Sequence, residues 1–309
     1  MVTSTGPPAP AGTYGGSCPD NRIRPYYIGC GTVFRITPSG TLTTLYNFCP
    51  QGACTIFGDG TTPVGGLTLG NDGNLYGTTS QGGANGAGTI FRMTPGGTLT
   101  TLYSFCAQSN CSDGAYPSDS LVQGTDGNFY GTTPSGGPNN DGTIFKLSLG
   151  LRPFVSFVRP PGRVGWTVQI LGQGFTGTTE VSFGGPPSAF TVKSDTYLIA
   201  TVPPGATTGL VTVTTPSNTL KSDKIFRVLP QILSFSPTSG PAGTSVVITG
   251  KSFTQATAVS LDCKHQMSFA VDSDTQITAI VPTGAPSGKI GVTTAGGHVE
   301  SAATFTVTP

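Results

Sequence analysis

The residues of this chain whose types and spacing could do more than pack are its seven cysteines, two histidines and a set of recurring tyrosines. Six cysteines fall before residue 112, as Cys18/Cys30, Cys49/Cys54 and Cys106/Cys111. The last two pairs share one context, YNFCPQGAC and YSFCAQSNC. Pairs that recur in register predict one disulfide per repeat, and so an oxidising compartment. The rival is a zinc site, which would draw on histidine or further cysteine; the first half of the chain contains no histidine. Cys263 is left unpaired, in the stretch LDCKHQ beside Asp262 and His265. The sharp reading is a thiol nucleophile with an imidazole base, or a metal site. The plain reading is a loop or strand end. Successive strand residues face opposite ways, so Asp262 would point away from Cys263 and His265. On that reading the thiol is a small buried apolar group or the bridge of a dimer.

Tyr46, Tyr76, Tyr103 and Tyr130 recur in register. Aromatic platforms for sugar rings are one reading, and packing between repeats is the plainer one. GNDGN and GTDGN lack the carboxylate density of calcium loops and read as turns. No nucleophile elbow, phosphate loop or dinucleotide fingerprint occurs. The 14 acidic residues are scattered, without the recurring pair that glycoside cleavage would need. Trp166, the only tryptophan, opens a strand and reads as sandwich edge or core. The expectation is therefore a protein that is not an enzyme, with no catalytic residue, metal site or cofactor.

Only 9% of the 309 residues are charged and the net charge is +1, without a block of Lys or Arg. That removes the electrostatic footprint of a nucleic-acid binder. Forty-six glycines and 26 prolines punctuate short runs of Val, Ile, Thr, Phe and Tyr, which is the composition of short strands joined by turns. No run of 18 apolar residues is present to span a membrane as a helix. The opening MVTSTGPPAPAGTYGG has no basic start or apolar core and is not a signal peptide. With disulfides expected, it predicts a piece of a longer exported product, whose residues 1–13 are flexible.

These residues must be positioned by repeats. GTVFRITPSGTLTTLYNFC begins at Gly31, GTIFRMTPGGTLTTLYSFC at Gly88 and GTIFKLS at Gly142, a period of about 55 residues. Each unit reads as four strands: Thr32 to Thr37, Leu42 to Phe48, then short runs at Leu67 to Leu69 and Leu75 to Thr78. Asp72-Gly73 and Asp126-Gly127 between apolar runs predict type I′ hairpins. Four antiparallel strands per unit fit a propeller blade, with a stacked solenoid as runner-up. Counting from TYGGS at Tyr14 as a fourth strand, residues 14–149 hold about two and a half blades, too few to close a ring. Open sheet edges would then favour self-association.

The recurring GTVFRIT, GTLTTLY, DGNLYGTT and DGNFYGTT resemble the GloVer tandem repeat of bacterial exported proteins. The resemblance implies a surface repeat without catalytic residues or a defined ligand. Residues 153–228 and 230–308 read as two copies of one sandwich module. WTVQILGQGF is matched by TSVVITGKSF, and ATVPPGATTGLVTVTT by AIVPTGAPSGKIGVTT. Short alternating runs with regular turns are the sandwich signature. The second copy, ILSFSPTSGPAGTSVVITGKSF, closely resembles the IPT/TIG immunoglobulin-like domains, and the first less closely.

The fold class expected is thus all-β: a partial propeller-like array followed by two immunoglobulin-like sandwiches. The function expected is surface binding, adhesion or scaffolding outside the cell, toward a protein or a polysaccharide, on the array. The alternatives are a fragment of a secreted carbohydrate-active propeller enzyme, and a structural stalk or assembly protein.

Overall fold

A computed structural model describes residues 31–48, 58–158 and 161–309, together with the backbone of residues 2–5. The chain divides into two units, residues 1–152 and 153–309, and each is taken by itself.

The described residues of the first unit form three antiparallel sheets in series. β1 (Val2–Thr5), β2 (Thr32–Ile36) and β3 (Leu42–Asn47) form the first, in that order. β4 (Thr68–Leu69), β5 (Leu75–Thr79), β6 (Thr89–Met93) and β7 (Leu99–Ser104) form the second. A 3-10 turn at Ser109–Cys111 leads to the third, made of β8 (Val122–Gln123), β9 (Phe129–Thr133) and β10 (Thr143–Leu147).

Three expectations change. The four-stranded unit is real in the second sheet but its phase is shifted: β4-β5-β6-β7 joins the last two strands of one sequence repeat to the first two of the next, and the three-stranded third sheet joins the last two to the first one. Local hairpins do not set that boundary; pairing of LYGTT with TIFRM does. Val2–Thr5, expected to be flexible, is a strand on β2, in the place that LYGTT holds beside β6. Tyr14 to Ser17, the expected fourth strand, lies outside the described residues. The Asp-Gly hairpins are not type I′. Only the glycines have positive φ, Gly73 at 82° and Gly127 at 86°. The Gly73 amide donates to the Gly70 carbonyl and the Gly70 amide to the Asn74 carbonyl, as in a type I turn closed by a glycine bulge.

Each core of this unit lies between sheets. Val33 and Phe48 meet Leu75, Phe91 and Met93 of the second sheet. Tyr76, Ile90 and Phe105 of the second meet Leu121 and Phe129 of the third. The second sheet is covered on both faces, so β5 is buried at every position. Gly77 keeps the Phe91 ring in place, since a Cβ there would lie 2.6 Å from it; Gly131 does the same for Phe145, at 2.5 Å.

The second unit holds two sandwiches. In the first, β11 (Ser156–Phe157), β12 (Thr167–Leu171), β13 (Glu180–Phe183), β14 (Phe190–Ser194), β15 (Tyr197–Thr201), β16 (Val211–Thr214) and β17 (Thr219–Lys221) make sheets of order β11-β12-β15-β14 and β13-β16-β17. In the second, the strands are β18 (Gln231–Ser236), β19 (Ser239–Gly240), β20 (Ser245–Lys251), β21 (Ala256–Leu261), β22 (His265–Ser273), β23 (Gln276–Ile280), β24 (Gly288–Thr294) and β25 (Gly297–Val307). β22 begins on β21 and ends on β23, joining both layers in one continuous order. The first sandwich has Gly184-Gly185-Pro186-Pro187 at that place. Proline cannot donate to a ladder, and the strand there is broken in two. The sandwiches are tied to one another: the Thr208 amide donates to Gln255 Oε1 at 2.7 Å, and Gln255 Nε2 to the Thr208 carbonyl at 3.2 Å.

Candidate functional site

Each of the four recurring tyrosines ends on an aspartate. Tyr76 donates to Asp72 at 2.9 Å, Tyr103 to Asp113 at 2.7 Å and Tyr130 to Asp126 at 2.7 Å; Tyr46 donates to Asp59. The rings of Tyr46, Tyr76 and Tyr103 pack at sheet junctions. Tyr76 is fully buried against Phe129, with ring centroids 4.1 Å apart. Tyr103 lies edge-on to Phe105 and Tyr46 to Phe48. The ligand-platform reading of Tyr46 and Tyr76 therefore gives way to packing, because each hydroxyl is spent on a carboxylate and each ring on its neighbours. Tyr130 presents its ring on the outer side of the third sheet.

The carboxylates are spent too. Asp72 and Asp126 also accept from the backbone and side chain of Asn74 and Asn128. Burial would raise Asp72, but the Asn74 and Tyr76 hydrogen bonds outweigh it and hold the carboxyl below its ordinary value. Asp126 behaves alike, with Lys146 adding to the lowering. Asp113 accepts from the Ala107 and Gln108 amides as well as Tyr103, and these donors overcome its burial. Asp59 is the exception, pushed up by burial. In return, burial first and the carboxylate second push the Tyr76 and Tyr103 hydroxyls up to about 12. GNDGN and GTDGN are accordingly turns locked by their own aspartate.

Asp59 and Asp113 carry no weight in a reading by motif. The usable signal is the Asp-Gly dipeptide that follows each cysteine pair: Gly60 and Gly114 both take φ of 100°.

Cys106 and Cys111 form a disulfide across the loop that Asp113 holds. Cys18, Cys30, Cys49 and Cys54 lie outside the described residues. Cys263 is a free, exposed thiol, which removes the buried reading. It sits with Asp262 in a left-handed turn between β21 and β22, at φ of 57° and 52°, so the strand-face argument does not apply there. Its Sγ donates to Glu300 Oε1 at 2.7 Å, and that bond raises the thiol pKa. A raised thiol is the opposite of an activated nucleophile. Among the described residues no three of His, Cys, Asp and Glu gather as metal ligands would. Trp166 is 54% exposed just ahead of β12, with the Arg163 guanidinium 5.7 Å over its ring. Among the described residues no helix is long and apolar enough to cross a membrane.

One concavity brings sequence-chosen residues together. A groove of about 340 Å³ runs along β10, between Tyr103 and Phe105 of the second sheet and Phe145 and Leu147 of the third. Ser112, Asp113 and Lys146 line it with polar groups. Its origin is a strand that differs between sheets. β6 is flanked by β7, with Ile90 opposite Tyr103 and Met93 opposite Leu99, whereas β10 pairs only with β9. After Leu147 the chain reads Ser148-Leu149-Gly150 instead of the turn and strand TPGGTLTTLYS.

The Gloeobacter/Verrucomicrobia repeat matches residues 26–214, and so extends into the first sandwich, beyond the 14–149 that the repeat pattern covers. The IPT/TIG domain matches residues 230–307. No curated protein matches the chain. Among solved structures it is similar to the surface glycan-binding protein PbSGBP-B from Prevotella bryantii, at 19% identity over 49% of this chain and 41% of that one, with a TM-score of 0.36. It is similar to SGBP-B from a xyloglucan utilization locus in Bacteroides uniformis, at 20% identity over 49% and 48%, with a TM-score of 0.24. It is also similar to the titin tandem domains A164-A165, at 8% identity over 50% and 95%, with a TM-score of 0.25. The chain spans less than half the length of the two glycan-binding proteins. With the repeat matched over more than half of its length and the second sandwich matched separately, the protein belongs to the Gloeobacter/Verrucomicrobia repeat family and carries an IPT/TIG domain.

Proposed function

We propose that this is a non-enzymatic binding protein of the cell exterior, and that its array holds a polysaccharide in the groove along β10. The groove carries the reading. Its volume is in the range of small-ligand sites. Tyr103, Phe105 and Phe145 supply apolar ring surface of the kind sugar rings pack against, and Ser112, Asp113 and Lys146 supply polar groups for hydroxyls. The carboxylate of the groove favours binding over catalysis: Asp113 is held ionised by Tyr103 and the Ala107 and Gln108 amides, unlike a general acid, whose pKa must be raised. The Cys106–Cys111 disulfide supports an oxidising exterior.

The test is retardation of the protein in gels cast with a panel of neutral and acidic polysaccharides, followed by calorimetry on any positive. Ser112→Arg places a long side chain in the groove. The expected result is retardation by at least one polysaccharide, lost in this variant at unchanged melting temperature. Binding that survives Ser112→Arg, or a folded protein that no polysaccharide retards, overturns the reading.

A further inference from the structure

We propose that the outer face of the third sheet docks a second copy of this chain, head to tail, by receiving the outer face of that copy's first sheet. The chain contains this interface twice already. At the first junction Val33 of β2 is buried under the second sheet, beside Phe91 and Met93 of β6. At the second, Ile90 and Tyr76 are buried under the third sheet, beside Phe129 and with Phe145 and Leu147 packed against them. The rule is one: the Val or Ile of GT-Val/Ile-Phe goes under the next sheet, and the Phe three residues after Gly packs back on the sheet before.

The third sheet repeats the first half of that rule, but there its residues are exposed. Ile144 stands where Ile90 does. Ile90 is 2% exposed and Ile144 is 85% exposed. Val122, on the same face opposite Tyr130, is 65% exposed. Thr132, opposite Ile144, is exposed, whereas its counterpart Thr78 is buried and donates to the Asp119 carbonyl of the next sheet at 3.0 Å. The first sheet presents the second half of the rule. Phe34 and Ile36 of β2 correspond to Phe91 and Met93 of β6 and to Phe145 and Leu147 of β10; both are half-exposed, as Phe145 and Leu147 are beside the groove, whereas Phe91 and Met93, covered by the sheet before, are fully buried.

The third sheet thus carries a receiving face and the first an inserting face, each made of the residues that already fit one another within the chain. Two different faces meeting give a heterologous contact, which closes a ring or extends a row. An apolar face this exposed is also the usual mark of an interaction surface. The face shares Ile144 with the groove, but Val122, Phe34 and Ile36 do not line it, and self-association is read with no polysaccharide present, so the two readings fail separately.

The test is sedimentation equilibrium across a wide concentration range, with Cys263→Ser in every protein so that the exposed thiol cannot bridge copies. The parent is expected to gain mass with concentration, past the dimer. Val122→Glu with Ile144→Glu, both at exposed positions, is expected to weaken association about tenfold or more while leaving the melting temperature in place. Phe34→Glu blocks the other end, and circular dichroism confirms that it folds. Neither blocked variant self-associates, but mixing the two restores a dimer through the one intact pair of faces. If Phe34→Glu does not fold, Ile36→Glu takes its part. A parent that stays monomeric, association unmoved by the Val122 and Ile144 changes, or blocked variants that fail to pair on mixing each overturn the proposal.

Discussion

The array and the sandwiches close their cores in opposite ways. Each sandwich buries its apolar side chains between its own two layers: Ile170, Phe183, Val213 and Phe226 in one, Ile248, Val259, Ile290 and Phe305 in the other. No sheet of the array has a core to itself. Val33 is buried because Phe91 and Met93 belong to the next sheet, and Ile90 because the third sheet lies over it. A sandwich is complete at any copy number. An array of nearest-neighbour contacts is always one neighbour short at its end, and Ile144 is where this chain shows that. The aspartates follow the same division. In the sandwiches Asp195 and Asp274 hold the turns of their own module, through Thr176 and Thr254 at 2.7 Å. In the array Asp59 and Asp113 anchor tyrosines whose rings sit at a junction between sheets.

The largest test of this contrast is the loss of a junction ring. Phe91→Ala is expected to cost about 3–5 kcal/mol and to loosen the first and second sheets together, read as hydrogen exchange across both. Phe305→Ala should cost about as much yet leave exchange in the array untouched; if the array loosens as well, the two units are not separate in the sense drawn here. Next in size is the disulfide. Replacing Cys106 and Cys111 by Ser opens a short loop and is expected to cost about 2 kcal/mol by the chain-entropy relation, seen as a lower denaturant midpoint. Tyr103→Phe removes one of three donors to Asp113 and should cost about 1.5 kcal/mol. Denaturation at pH 7, compared with the same change at Tyr197, which has no such aspartate, gives the readout.

Smaller still are the effects of pH. Asp72, Asp113 and Asp126 have lowered folded pKa values. Their contribution is therefore whole above the ordinary carboxylate pKa of about 4 and is lost as the pH falls through the depressed folded values. Tyr76 and Tyr103 run the other way: raised to about 12, they contribute fully below the ordinary tyrosine pKa of about 10 and lose that contribution as the pH rises through the folded value. Tyrosinate absorbance should show the two ionising late in the folded wild type and at the ordinary pH once it is unfolded. The smallest stability effect belongs to Ile144→Glu, within about 0.5 kcal/mol, because that side chain is 85% exposed.

Much of this was legible in the residues. GTVFRIT, GTIFRMT and GTIFKLS gave away the strands, since apolar positions recur there in register between glycine turns. The paired halves of the second unit were legible for the same reason. The phase of the sheets was not, because a hairpin such as LYGTT to TIFRM spans a variable loop, and the repeat motif can be cut on either side of it. The turn at Asp72-Gly73 was legible as a turn but not as to type: whether Asp72 takes positive φ depends on its carboxylate, which Asn74 and Tyr76 claim. Tyr46, Tyr76, Tyr103 and Tyr130 stood out by recurrence, yet nothing in the sequence near Tyr103 names Asp113, 10 residues on, as the hydroxyl's acceptor.

What the sequence determined alone is periodic: strand content, module count and the recurring Cys, Tyr and Gly positions, because each follows from local conformational preference repeated along the chain. Tertiary structure alone decided which face of each strand is covered, which carboxylate meets which tyrosine, and that Ile90 and Ile144, equivalent in the repeat, differ completely in exposure. The reason is that burial belongs to pairs of sheets, and a repeat cannot encode whether its neighbour is there.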